Sequence, residues 1–347
     1  MKKSKKINIF IGGTRPEFIK AFPLFRKMNF FVINTGQQRE LSKTMLDLFD
    51  IVPDIDLDLM TEDQTICGFL SRAIKELDEV IKSQPFCRIW VQGDTMSALA
   101  GALVAKMNKI ELVHLEAGLR SFDDTNPFPE ESNRVLIDQI ADIMFCPTDG
   151  NVANLKKERV KGKIYLVGNT VVDALEMFKK KLPKERPIKE KYVLATIHRR
   201  ESFGNDIEEI FKALKELSKT IKVVLPAHPN PNVQKVIKKI GLEVVKPMNY
   251  KTFLWHMRDC EYVISDSGGL QEEVPSFKKK IIVLRKTTER QEIIESGYGI
   301  LIKKMEKNYI LKKIKEFSKK KINITSNPFG NGRASDKIIK IIKTYEK

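Results

Sequence analysis

The sequence lacks the motifs that bind transition metals or hold disulfides. Only four cysteines and four histidines occur in 347 residues. They show no CxxC, HxxxH or HExxH spacing, so no metal site is predicted. The elements GxSxG and GxxxxGK[ST], typical of hydrolase elbows and P-loops, are also missing. The cysteines are predicted to be reduced and mostly buried: Cys67, Cys87, Cys146 and Cys260.

Long apolar runs are absent as well. No segment approaches the roughly 20 apolar residues that a membrane-spanning helix needs. The basic start MKKSKKINIFIGG resembles a signal peptide, but its apolar part is too short and no small-residue cleavage site follows. We therefore expect a cytoplasmic protein with no membrane insertion.

The net charge of +17 is carried mainly by lysine runs. These runs contain no interleaved aromatic residues, and no nucleic-acid-binding module accompanies them. The charge predicts no nucleic-acid partner, although it suits an anionic ligand.

Apolar runs alternate with segments of helical periodicity along most of the chain. Such alternation predicts α/β domains with parallel sheets covered on both faces. Six strand-like runs precede residue 170, and a charged, proline-containing stretch follows before the pattern restarts. We predict two Rossmann-like, doubly wound domains over 1–172 and 173–332, and a helix at 333–347 that packs back on the first domain.

Two glycine-containing turns have the composition of anion sites. In GGTRPE, from Gly12 to Glu17, Arg15 offers a fork to phosphate beside the amides of a helix start. In SDSGGLQEEVP, the Ser267 hydroxyl and the amides of Gly268 and Gly269 suit a diphosphate. Glu272 or Glu273, one turn further, could accept hydrogen bonds from ribose hydroxyls. Ordinary capped turns are the alternative for both segments.

Carboxylates follow several predicted strands. These are Asp94 in GDT, Glu116 in HLEAGLRS and Glu130 in PFPEESNR. One interpretation is acid/base chemistry. Crowding of the three carboxylates would raise the pKa values of some of them, and Arg120 and Arg134 would restrain that rise. For Asp94, a helix cap is the alternative. His198, in ATIHRRES, also follows a strand and is a functional candidate. For His228, a functional and a structural role both remain open.

Taken in order, these motifs resemble the non-hydrolysing UDP-N-acetylglucosamine 2-epimerases. The resemblance covers nearly the whole chain and rests on GTRPE, TGQ, GDT, HLEAGLRS, PFPEESNR, HRRES, DSGGLQEE, LRKTTER and NPFGNG. Hydrolysing relatives typically have GSRAEYG, GDR and HGGE instead. The resemblance implies two domains of the glycosyltransferase-B type with a cleft between them, a homodimer, and interconversion of UDP-GlcNAc and UDP-ManNAc without a cofactor.

The same resemblance implies a mechanism and roles for individual residues. UDP is eliminated to give 2-acetamidoglucal and then adds back. Asp94, Glu116 and Glu130 would supply acid and base, Arg134 would organise them, and His198 would assist diphosphate departure. The phosphate would be bound by Arg15, Lys20, Ser267, Gly268 and Gly269, and the ribose by Glu273.

Three departures from the family pattern qualify this expectation. Gln38 replaces the histidine of TGQH, EDQ replaces PGQ at 62–64, and Gln291 replaces the proline of TERPE. The first two argue against activation by a second UDP-GlcNAc. Three alternatives remain: an epimerase for another UDP-2-acetamido sugar such as a diacetamido uronate, a glycosyltransferase, and a noncatalytic nucleotide-sugar sensor.

Overall fold

A computed structural model describes residues 7–197, 205–227, 230–321 and 326–345, without the side chains of residues 40, 41 and 205. The chain divides into two compact units. The first comprises residues 1–174 and 329–347, and the second comprises residues 175–328.

The first unit is built on a parallel sheet of seven strands in the order β3-β2-β1-β4-β5-β6-β7. Its strands are β1 Ile7–Gly12, β2 Phe31–Asn34, β3 Ile55–Asp56, β4 Phe86–Gln92, β5 Glu111–Leu115, β6 Ile143–Cys146 and β7 Lys163–Leu166. Its helices are α1 Arg15–Phe25, α2 Arg39–Leu48, α3 Ile66–Ser83, α4 Met96–Met107, α5 Glu130–Ile140 and α6 Asp149–Lys157, followed by α7 Thr170–Lys179, which crosses the boundary between the units.

Alternation along the central strands gives this unit two cores, one on each face of the sheet. Ile9 and Ile11 point into a core with α3, α4 and α5. Phe10, between them, points into the opposite core, which Trp90 and Ile338 also join. Both faces of β1 and β4 are therefore buried, and only Ile7 and Cys87, near their amino ends, are partly exposed.

The second unit has a parallel sheet of five strands in the order β12-β11-β10-β8-β9. Its strands are β8 Tyr192–Thr196, β9 Lys222–Val224, β10 Tyr262–Ser265, β11 Lys280–Leu284 and β12 Gly299–Ile302. Its helices are α8 Asn205–Leu217, α9 Pro231–Ile240, α10 Tyr250–Asp259, α11 Gly268–Glu273, α12 Glu292–Glu295 and α13 Lys307–Lys319. The last helix of the chain, α14 Ala334–Ile342, belongs to the first unit.

Helix α14 is anchored within the first unit by both apolar and polar contacts. Ile338 and Ile342 are buried in the core that contains α1. At its start, the Asp173 carboxylate accepts hydrogen bonds from the backbone amides of Ala334 and Ser335, at 3.1 and 2.8 Å. A carboxylate at a helix N-terminus satisfies amides that have no partner within the helix.

The predicted α/β architecture is confirmed, with two exceptions in detail. Neither β3 nor β12 was predicted, and β3, with two residues, is too short to show any periodicity. Cys67 is exposed, whereas Cys146 and Cys260 are buried. Among the described residues, no helix is both long and apolar enough to cross a bilayer.

Candidate active site

Three strand ends of the first unit carry its predicted site residues. β1, β4 and β5 are neighbours in the sheet and run in parallel. Their carboxyl ends therefore lie side by side, where ligands bind in sheets of this kind. The segments that follow these strands contain the Gly12–Glu17 turn, Asp94 and Glu116.

Glu116 follows β5 directly and is held by two donors. Its Oε2 atom accepts hydrogen bonds from the Lys20 ammonium, on α1, and from Nε2 of Gln92 at 2.9 Å. The Lys20 and Glu116 side chains are only 6% and 7% exposed. Glu116 also has a φ of 67°, in the left-handed region that costs a non-glycine residue conformational energy. Lys20, predicted to bind phosphate, therefore also holds a carboxylate.

Asp94 lies in the turn after β4 and pairs with a buried arginine. Its Oδ2 atom accepts a hydrogen bond from Nη2 of Arg134, on α5. The helix-cap interpretation of Asp94 is wrong, because the N-cap of α4 is Thr95, whose hydroxyl oxygen accepts from the amide of Ala98 at 3.0 Å. The Asp94 carboxylate therefore does not cap α4.

Helix α5 supplies most of the groups around Asp94. Arg134 also donates from Nη1 to Oε2 of Glu131, at 3.1 Å. Glu131 in turn accepts from the backbone amides of Ser121 and Phe122, so its carboxylate fixes the loop before α5. Glu130, predicted as a third acid/base group, is the first residue of this helix and is partly exposed.

The predicted carboxylate crowding takes a different form in the structure. Asp94 and Glu116 each have a cation of their own, in Arg134 and Lys20. Burial raises the pKa of another carboxyl group, Glu17, to about 7 against the opposing effect of its hydrogen bonds. Sequence reasoning gave Glu17 no role of its own.

Glu17 joins two of the strand-end turns. Its Oε2 atom accepts from the amides of Gly13 and Thr14, at 3.0 and 2.8 Å. Its Oε1 atom accepts from the Thr95 hydroxyl at 2.7 Å. The spacing T-x-x-E at 14–17 is a capping-box signature. It could have identified the contact between Glu17 and the Thr14 amide.

A second missed group lies beneath the ends of β4 and β5. His114 is fully buried, with Nδ1 2.7 Å from Oδ1 of Asp138 and Nε2 2.8 Å from the carbonyl oxygen of Gly93. Arg120, predicted to restrain the site carboxylates, donates instead to Asp138 and to Glu158. These residues contact the turns that bear Asp94 and Glu116 rather than the two carboxylates.

In the second unit, the predicted diphosphate turn follows β10. Ser267 precedes α11, and in this described segment its side chain makes no capping hydrogen bond to that helix. Gly268 is tightly packed, since a Cβ atom there would lie 2.8 Å from Nη1 of Arg290, whereas a Cβ on Gly269 would meet nothing within 4 Å. The turn therefore has one glycine against protein and one beside open space.

The two glutamates of α11 have different surroundings. Glu272 is buried and accepts from Nε of Arg290 at 2.5 Å. Arg290 also donates to Glu289, which pairs with Arg285 at 3.0 Å. Glu273 accepts from the Tyr250 hydroxyl at 3.2 Å. Both glutamates are therefore buried, and the ribose role of Glu273 stays a prediction.

Not every predicted site residue can be placed. His198 and His228 lie outside the described residues. Arg15 is the first residue of α1 and is partly buried. Among the described residues, no group of three or more His, Cys, Asp or Glu side chains is arranged to hold a metal ion.

Comparison with known proteins identifies the family. The family model described as UDP-N-acetylglucosamine 2-epimerase matches residues 24–343. The chain belongs to this family. It is 38% identical to the UDP-N-acetylglucosamine 2-epimerase of Campylobacter jejuni, with 97% of each chain covered. The resemblance found in the sequence motifs is thereby confirmed.

Solved structures of the family support the same conclusion. The UDP-GlcNAc 2-epimerase of Neisseria meningitidis, bound to UDP-GlcNAc, is 34% identical, with a TM-score of 0.89 over 97% of this chain and 99% of that one. The Methanocaldococcus jannaschii enzyme, in complex with UDP-GlcNAc and UDP, is 32% identical, with a TM-score of 0.86 over 98% of this chain and 99% of that one. The chain has the two-domain, glycosyltransferase-B-like fold of these proteins.

Proposed function

We propose that this protein reversibly epimerises UDP-N-acetylglucosamine at C2 to give UDP-N-acetylmannosamine. The observation that carries the proposal is the pairing of Asp94 with Arg134 and of Glu116 with Lys20 at the ends of adjacent strands. It gives the site two carboxylates, each already balanced by a cation. The family membership and the ligands named for its solved relatives support the choice of substrate.

The chemistry requires two proton-transfer groups because a proton leaves one face of C2 and another arrives at the opposite face. Since the C2 proton is not acidic, its removal is coupled to elimination of UDP. A carboxylate removes this proton while the bond from C1 to the diphosphate oxygen breaks, which leaves UDP and 2-acetamidoglucal with a C1–C2 double bond. The diphosphate oxygen then adds back to C1, and an acid delivers a proton to the other face of C2. Asp94, Glu116 and Glu130 are the candidates, and we assign no order among them.

The departing diphosphate carries the negative charge that develops in the elimination. Cations and aligned amides that face this charge lower the barrier because they are already in place. We assign the phosphate to Arg15, Lys20, Ser267, Gly268 and Gly269, the ribose to Glu273, and assistance of diphosphate departure to His198. We further propose that the protein acts as a homodimer and needs no added cofactor.

Proton NMR of the purified protein with UDP-GlcNAc in D₂O tests this proposal. We expect anomeric signals of UDP-ManNAc to appear, with deuterium at C2 of the product, and no requirement for added NAD. Free ManNAc and UDP would instead establish a hydrolysing reaction. If no turnover occurs although UDP-GlcNAc protects the protein against heat, the protein is a binding module or acts on a different sugar.

A further inference from the structure

The turn that bears Asp94 is held on several sides. The amide of Gly93 donates to the carbonyl oxygen of Leu115 at 3.0 Å, and Nδ2 of Asn133 donates to the carbonyl oxygen of Asp94 at 2.9 Å. Gly93 has a φ of 67°, so the chain reverses there in a conformation that suits glycine. The remaining contact, to the carbonyl oxygen of Gly93, comes from His114.

The partners of His114 fix the orientation of its ring. The carbonyl oxygen of Gly93 has no hydrogen to give, so Nε2, at 2.8 Å, must be the donor. Nδ1 faces Oδ1 of Asp138 at 2.7 Å. The other oxygen of Asp138 accepts from the Gly118 amide at 3.1 Å and from Nη1 of Arg120 at 2.7 Å. The ring therefore links the turn after β4 to a carboxylate that also contacts the segment after β5.

The carboxylate that holds the ring is itself anchored. Arg120 donates to Oδ2 of Asp138 at 2.7 Å and to the carbonyl oxygen of Leu119 at 2.6 Å. Glu158 accepts two further hydrogen bonds of 2.6 Å from Arg120. Asp138 therefore holds the His114 ring from a fixed position.

We propose that His114 is a positioning residue, whose ring bridges the Asp138 carboxylate and the Gly93 carbonyl and thereby fixes the turn that presents Asp94. The ring is fully buried, so it acts through this turn and not by contact with a bound substrate. Its role in activity rests on the proposed epimerisation, whereas the bridge itself does not. Because misplacing a reacting group by about 1 Å can cost roughly 100-fold in rate, a change at His114 affects kcat.

The bridge is tested by long-range ¹H–¹⁵N correlation of the histidine rings in the full-length protein. The sequence has only four histidines, and the His114 signals are assigned by their loss in His114→Gln. We expect Nε2 of His114 to resonate as a protonated nitrogen, because only then can it donate to the Gly93 carbonyl oxygen. An unprotonated Nε2 would overturn the proposal, whether or not the protein turns over UDP-GlcNAc.

The positioning is tested with the same variant and a matched control. We expect His114→Gln to lower kcat by about 10- to 100-fold with little change in KM, and to shift the backbone amide resonances of Asp94 and Thr95. His256→Gln, at a buried histidine of the second unit, should change neither. Unchanged kcat and amide shifts in His114→Gln would overturn the positioning role. If the wild type has no activity, the proposed function fails, and the amide shifts still decide the role of His114.

Discussion

The Thr95 hydroxyl donates a 2.7 Å hydrogen bond to Oε1 of Glu17, across 78 positions of sequence. Thr95 also caps α4, and Glu17 accepts from the amides of the turn after β1. The Glu17 carboxylate therefore joins the turn at residues 12–17, which is predicted to bind an anion, to the turn that bears Asp94. Burial of Glu17 costs free energy when the side chain is ionised, because water no longer solvates the charge.

The pKa of Glu17 predicts how stability depends on pH. Its pKa is about 7 in the folded protein and 4.5 when exposed. Between these pH values the unfolded chain releases a proton that the folded chain retains, so the contribution of Glu17 to the free energy of unfolding falls as the pH rises. The loss from pH 4.5 to above pH 7 amounts to roughly 3 kcal/mol.

Glu17→Gln is the matched variant for this prediction. Glutamine can still accept from the amides of Gly13 and Thr14 but does not titrate. We expect the wild type to lose stability relative to the variant between pH 5 and pH 8, in urea denaturation at a series of pH values. Subtracting the free energies of unfolding of the two proteins at each pH removes the contributions of the other titrating groups. Parallel pH profiles would show that Glu17 does not titrate in this range.

The two ends of β5 offer a controlled test of the acid/base assignment. Glu116 follows the carboxyl end of the strand and pairs with Lys20, whereas Glu111 begins the strand and pairs with Arg88. We expect Glu116→Gln to lower kcat by about 100-fold or more, since it removes a proton-transfer group. Glu111→Gln should retain wild-type kcat, measured by NMR as turnover of UDP-GlcNAc.

Binding and chemistry are separable in this experiment. UDP affinity, measured by calorimetry, should change little in Glu116→Gln because the carboxylate is not assigned to the phosphate. If Glu116→Gln keeps full kcat, Glu116 is not one of the acid/base groups. If it loses UDP binding in parallel with activity, the Lys20–Glu116 pair serves the phosphate instead.

The buried ion pair between Glu272 and Arg290 predicts a large stability effect in the second unit. Removing Arg290 takes a cation away from the buried Glu272 and Glu289 carboxylates, and breaking a buried pair in this way typically costs about 3–5 kcal/mol. We therefore expect Arg290→Met to lower the free energy of unfolding of this unit by about that amount. Lys82→Met, which removes an exposed partner of Asp78 on α3, should leave stability unchanged within error.

Tryptophan fluorescence can report this effect for the second unit alone. The chain has two tryptophans, Trp90 in the first unit and Trp255 in the second. In a Trp90→Phe background, urea unfolding followed by fluorescence reports on Trp255. An Arg290→Met transition at the same urea concentration as its parent would mean that the ion pair contributes nothing to stability.

The sequence predicted the positions of the site turns better than the contacts within them. Asp94 and Glu116 could be placed at strand ends because each follows an apolar run whose direction in a parallel sheet is fixed. Their cations could not be predicted, since Lys20 and Glu116 lie 96 positions apart and pair only through the strand order. The role of His114 is hidden for the same reason, because its partners lie in the turn after β4 and on α5.

Charge asymmetry between the two units predicts how salt affects the reaction. The second unit contains 34 Lys and Arg against 19 Asp and Glu, whereas the first contains 28 against 26. The net charges are therefore +15 and +2. A positive electrostatic field raises the rate at which an anionic ligand associates. Salt screens this field, with a Debye length of about 10 Å at 0.1 M. We expect kcat/KM for UDP-GlcNAc to fall as NaCl rises, while kcat changes little.

Charge-reversal variants determine whether this field arises from the second unit. Lys312→Glu with Lys319→Glu reverses two exposed residues of α13, and Lys156→Glu with Lys161→Glu makes the same change of total charge in the first unit. The α13 pair should reduce kcat/KM more at low salt, and the difference should vanish at high salt because screening removes it. Equal reductions by both pairs would mean that only the total charge matters, and a kcat/KM independent of salt would exclude electrostatic steering.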